Sequence, residues 1–168
     1  AFGYYALKAN TTGNYNVAIG NRSLRSNTIG TNNTAVGHDS LFTNTTGINN
    51  TAMGRSALGT NTIGTNNSAF GYLALIDNTT GIQNTAIGSD ALLNNTAGVQ
   101  NIAVGVNALR LNTIGNYNTA VGYQSLLSNI TGSNNTAVGY LALYSNTTNN
   151  NSAFGYKALN ANTTGTRN

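Results

Sequence analysis

Apolar residues recur along this chain at a fixed spacing of 17, ten times over. The triplet Ala-x-Gly marks each copy: Ala1/Gly3, Ala18/Gly20, Ala35/Gly37 and so on to Ala137/Gly139, with the tenth, Ala153/Gly155, one residue early. Counting from that Ala, position 2 is always apolar: Phe2, Ile19, Val36, Met53, Phe70, Ile87, Val104, Val121, Val138 and Phe154. Position 7 is always Leu: Leu7, Leu24, Leu41, Leu58, Leu75, Leu92, Leu109, Leu126, Leu143 and Leu159. Position 6 is Ala or Ser throughout. Between these lie invariant polar positions, with Asn at 10 and 16 in every copy, Thr at 11 in nine and Gly at 13 in nine. A short fixed period makes each copy one structural unit stacked on the next.

The pattern excludes helix. It has no i, i+3, i+4, i+7 apolar stripe, and it is built on Gly, Asn and Thr, which are poor helix formers. Thr34-Ala35-Val36-Gly37 reads as a short strand around an inward Val, and Ser40-Leu41-Phe42 as a second, shorter one. The N-T-x-G-x-x-N stretch reads as a turn in which Gly13 and its equivalents supply positive φ. The expected fold is all-β: a parallel β-solenoid, or β-roll, of ten 17-residue coils forming one continuous segment over residues 1–168. At the spacing of paired strands, ten coils make a rod roughly 45–50 Å long.

Stacking puts identical positions above one another. Asn10, Asn27, Asn44, Asn61 and Asn78 then begin one side-chain amide ladder, and Asn16, Asn33, Asn50 and Asn67 a second. The competing reading is glycosylation, since Asn10-Thr11-Thr12 and Asn32-Asn33-Thr34 are N-x-[ST] sequons. The ladder is preferred, because the sequons follow from the repeat and copies such as Asn27-Thr28-Ile29 lack them. The ten Leu of position 7 are the expected core. With position 2 they supply two substantial apolar groups per coil, about 2 kcal/mol each, set against the entropy of ordering 17 residues. That thin core, and the small residues at positions 1, 3 and 6, point to a lateral partner, a second and third copy of the chain.

Composition narrows the chemistry. Cys and Pro are absent, so no disulfide or thiolate metal site exists, and charged residues make up only 6% of the chain. The net charge of +4 is spread along its length, which argues against nucleic acid. No apolar run is long enough to insert into a membrane. The chain begins and ends inside a repeat with no capping sequence, as expected of a fragment of a longer fibre.

The units Asn118-Thr119-Ala120-Val121-Gly122-Tyr123-Gln124-Ser125-Leu126 and Asn135-Thr136-Ala137-Val138-Gly139-Tyr140-Leu141-Ala142-Leu143 resemble the N-T-A-[VI]-G-Y-x-A-L repeats of large proteins described as tail fibre domain-containing. Their N-[ST]-x-A-[IV]-G core is also similar to the head repeats of trimeric, YadA-like autotransporter adhesins, whose unit is shorter. The resemblance covers all ten repeats. It implies a left-handed parallel β-roll assembled as a homotrimer, located outside the cell, on its surface or on a virion.

Candidate chemistry is sparse. There is one His, His38, and three acids, Asp39, Asp77 and Asp90. Asp39 and Asp90 share position 5 but lie three coils apart, about 14 Å, too far for paired-carboxylate work. His38 and Asp39, as neighbours on a strand, are expected on opposite faces. Stacking sets Arg22 and Arg55 near them as a weak surface ion cluster. Neither a catalytic residue nor a cofactor or metal site is expected. The best binding feature is position 4, where Tyr123, Tyr140 and Tyr156 fall in successive coils, either as glycan contacts or as a stiffening ladder. The functional expectation is a structural and adhesive segment of an extracellular or virion fibre, with itself and a host glycan or protein as partners. The alternatives are a pure spacer carrying a distal tip, or an ice-binding solenoid built on Thr rows such as position 11.

Overall fold

The computed structural model describes all 168 residues, Ala1–Asn168. The chain winds into a parallel β-solenoid containing no helix. Nine three-residue strands form its single sheet: β1 Val17–Ile19, β2 Thr34–Val36, β3 Thr51–Met53, β4 Ser68–Phe70, β5 Thr85–Ile87, β6 Ile102–Val104, β7 Thr119–Val121, β8 Thr136–Val138 and β9 Ser152–Phe154. They pair in sequence order, always parallel, with Ala18 beside Ala35, Ala35 beside Ala52, and onward. Ten coils were expected; nine strands form, and the first repeat adds only an isolated bridge from Phe2 to Ile19.

Strands supply little of the order. Of 110 backbone hydrogen bonds, 16 lie within strands. The rest come largely from turns stacked on turns. The Thr28 carbonyl, for example, accepts from the N–H groups of Thr11, Thr12 and Gly13 and from the Thr11 hydroxyl. The expected second strand at Ser40-Leu41-Phe42 is absent. Leu41 sits at φ 49, and every Leu of position 7 is likewise left-handed. That conformation costs an L-residue roughly 1–2 kcal/mol. It is held because the Leu41 N–H bonds to Ala57 O of the next coil while its carbonyl accepts from Asn44 N.

The interior differs from the expected one at a central point. Position 2 faces out, not in: Ile19, Met53 and Ile87 are exposed, and Val36, Val104, Val121 and Val138 half-exposed. The inward strand residue is Ala, buried completely at 18, 35, 52, 69, 86, 103, 120 and 137. Strand side chains alternate between faces, and the roll is too thin to seat both a branched side chain on the strand and the Leu of position 7. Leu24 to Leu143 are fully buried and join these alanines in one cluster. Leu7 is only half-buried and Leu159 is 40% exposed, each lying in a terminal coil stacked on one side only. The small residues of positions 1 and 6 therefore serve this chain's own core. The Gly of position 3, at φ between 119 and 141, serves the stacking of coil on coil, since a Cβ on Gly20 would meet Gly37 O at 2.6 Å.

The rest of the interior is amide. From Asn27 to Asn129, and again at Asn162, each Asn of position 10 donates Nδ2 both to its own coil's Gly carbonyl and to the Oδ1 of the Asn before it, as in Asn44 to Gly47 O (3.1 Å) and to Asn27 Oδ1 (2.8 Å). The Asn of position 16 works differently. Asn33 accepts the backbone N–H of Asn50 on its Oδ1 (3.0 Å) and donates Nδ2 to Gly47 O (2.8 Å). Both ladders are buried throughout the middle of the rod. Gly13 and its equivalents do not have positive φ, contrary to expectation. They are Gly because a side chain has no room: a Cβ on Gly64 would sit 2.5 Å from Gly81 O and press on the Asn61 amide oxygen. Gly64→Ala is expected to cost about 1–3 kcal/mol. Gly59→Ala, where the nearest atom is 3.1 Å away, should cost visibly less; equal melting temperatures for the two would contradict this packing.

The short ninth repeat leaves the stack intact. Ser152, Ala153 and Phe154 pair with Thr136, Ala137 and Val138. Thr148 takes the place of the missing Gly, its carbonyl accepting from Asn135 and Asn146 as a Gly carbonyl does elsewhere. Asn150 is left-handed at φ 61, but so is its equivalent in every other coil, including Asn134 and Gln83. The deletion breaks one rung instead: Asn146 does not donate to Asn129, whose buried Oδ1 has no partner. Phe154 keeps register and points to solvent, as position 2 does throughout.

Candidate functional site

With the core closed, function rests on the outer surface. Each strand turns two side chains outward, at positions 17 and 2. Along the sheet they form a Thr/Ser row (Thr34, Thr51, Ser68, Thr85, broken by Val17 and Ile102) beside an unbroken row of Phe, Ile, Val and Met. The apolar row runs the length of the rod and has no cover within the chain. Monomeric surfaces rarely carry a continuous apolar strip of that extent. The apolar pattern alone does not reveal this strip, because it reads the same residues as core.

The Tyr row of position 4 is stacked. Tyr123 and Tyr140 lie 5.3 Å apart at 11°, and Tyr140 and Tyr156 5.3 Å apart at 7°. That separation closes the facing ring surfaces to a sugar and leaves only ring edges and the outermost face, an arrangement that stiffens the rod. The hydroxyls of the Thr row of position 11 are also committed along the axis, because Thr28, Thr45 and Thr62 donate them to the next coil's carbonyls.

The two sequon types separate cleanly. Asn of the position-10 type is locked in the buried ladder. Asn of the Asn32 type, with Asn49 and Asn66, stands exposed on a left-handed corner.

The ionic cluster forms on the corner of the first three coils. Arg22 grips Asp39 through Nε (2.7 Å) and Nη2 (2.5 Å), and His38 Nδ1 lies 3.0 Å from the same carboxylate. The expectation that His38 and Asp39 point apart fails because they occupy a turn, with Asp39 at φ 59, and not a strand. Arg55 turns away to lie over Tyr72. Around the pair, Lys8 lies over the Tyr5 ring at 4.2 Å, and Arg25 faces both Tyr5 (5.7 Å) and Phe42 (5.4 Å). Asp77 stands apart, its carboxyl pushed up by partial burial. No three His, Cys, Asp or Glu residues gather in a metal-binding group, and no helix is long and apolar enough to cross a membrane. No protein-family model, curated protein or solved structure matches the chain.

Proposed function

We propose that this chain is a structural and adhesive segment of a homotrimeric extracellular or virion fibre, wound left-handed as in the adhesin heads its repeats resemble. The observation that carries the reading is the outward apolar row of position 2. Three rods brought together along this row would bury the strip that each leaves open, and would supply the apolar burial that one coil of Ala, Leu and Asn lacks. In-register stacking and two amide ladders make each rod stiff, which suits presentation of a surface at a distance from its anchor. The small residues of positions 1, 3 and 6 no longer support the trimer, since the coil itself uses them.

Val121→Asp combined with Val138→Asp tests the assembly. Both positions lie on the outer sheet face, so a lone rod would keep its fold with little loss. In a trimer they place like charges in a desolvated contact, and sedimentation should show collapse to folded monomers. A stable monomer for the unsubstituted chain at micromolar concentration would refute the reading.

A further inference from the structure

We propose that the corner of the first three coils, around Tyr4, Tyr5, Lys8, Arg22, Arg25 and His38, binds an acidic saccharide carrying sulfate or carboxylate groups. The inference rests on the adhesive part of the function proposed above and names its ligand class. Tyr4, Tyr5, Asn21, Arg22, Arg25 and His38 line an open groove of about 450 Å³. It continues through Arg25 into a second of about 370 Å³, beside Lys8 and Ser26. Three cations and one carboxylate meet there, and Arg22 takes that carboxylate. Lys8 and Arg25 are held by aromatic rings instead of acids, so their charge is unbalanced and already in place. Preorganised donors lose little freedom on binding, and a guanidinium matches the planar fork of a carboxylate or two sulfate oxygens. The neighbouring Tyr4 hydroxyl, then the Lys8 and Arg25 charges, hold the Tyr5 hydroxyl below the ordinary phenol value.

Nucleic acid fits less well. Its affinity comes from many phosphates neutralised along a track. Here the cations of position 8 end after two coils, giving way to Phe42, Gly59, Ile76 and Leu93 until Arg110. Lys8 and Arg25 stand one coil apart, which suits a short oligosaccharide.

The test is titration with a heparin-derived hexasaccharide, a neutral maltohexaose and a single-stranded oligonucleotide of matched charge, at low and high salt. The sulfated probe should bind, weaken with salt, and exceed both others. Arg25→Ala should weaken it about tenfold or more and Lys8→Ala several-fold, while Arg110→Ala and Lys157→Ala leave it within about twofold. Absence of binding, equal weakening by all four substitutions, or tighter binding of the oligonucleotide would overturn the proposal. Circular dichroism verifies folding of each variant, and Lys8→Ala remains decisive if Arg25→Ala fails to fold. The same titration on the Val121→Asp, Val138→Asp protein separates the two readings: binding by a folded monomer leaves this groove standing whatever becomes of the trimer.

Discussion

Asn84→Asp is expected to destabilise the rod by about 3–5 kcal/mol at neutral pH, although it changes the side chain by one atom and its hydrogens. Asn84 is fully buried. Its Oδ1 accepts from the Asn101 backbone N–H (3.0 Å) and Nδ2 (3.2 Å), and its own Nδ2 donates to Gly98 O (2.7 Å) and Asn67 Oδ1 (3.3 Å). A carboxylate keeps the acceptor and loses the donor. It then sets a negative oxygen against two other oxygens inside the rod, with no cation near. Burial favours the neutral acid in the folded state, so the penalty is small below the ordinary carboxylate range and grows as pH rises through it. Asn66→Asp is the control. It makes the same chemical change one coil away on an exposed corner and should cost under about 0.5 kcal/mol. Denaturation of the two proteins across pH separates the cases, and parallel curves would mean that the ladder contributes no stability.

Leu92→Asn is expected to cost about 2–5 kcal/mol per chain. Leu92 is fully buried in the Ala/Leu cluster, and Asn there leaves a void and brings an amide without partners. One effect opposes this: the site is left-handed at φ 51, which Asn tolerates better than Leu. That relief, about 1 kcal/mol, is too small to offset the loss of the side chain. Lys8→Ala, on the exposed surface of a terminal coil, should leave the melting temperature almost unchanged. Equal thermal shifts for the two would remove Leu from the core.

The outward row and the cationic corner were differently legible. Arg22 and Asp39 share position 5 one coil apart, so their pairing follows from the repeat alone. The groove does not, because Tyr5, Lys8, Arg25 and Phe42 come together only when positions 5 and 8 lie on one corner. The fate of position 2 was unreadable for a sharper reason. Side chains of a three-residue strand alternate between faces, so Thr-Ala-Val offers either the middle residue or the two outer ones to the core. Hydrophobicity favours Val; the width of the roll decides for Ala.

By itself the sequence determined what a strict period determines: a parallel solenoid, its unit length, the Leu row, and two Asn rows whose stacking follows once equivalent residues superpose. Periodicity is translational, so it settles which positions stack on which from coil to coil. Backbone conformation, facing and clearance were decided only by the tertiary structure. Those are the left-handed Leu, the Gly of position 13 as a close approach in place of a positive-φ turn, the His38 contact with Asp39, and the apolar row left facing out. Each depends on how tightly 17 residues close on themselves, a matter of backbone angles and interior width that repetition along the axis does not encode.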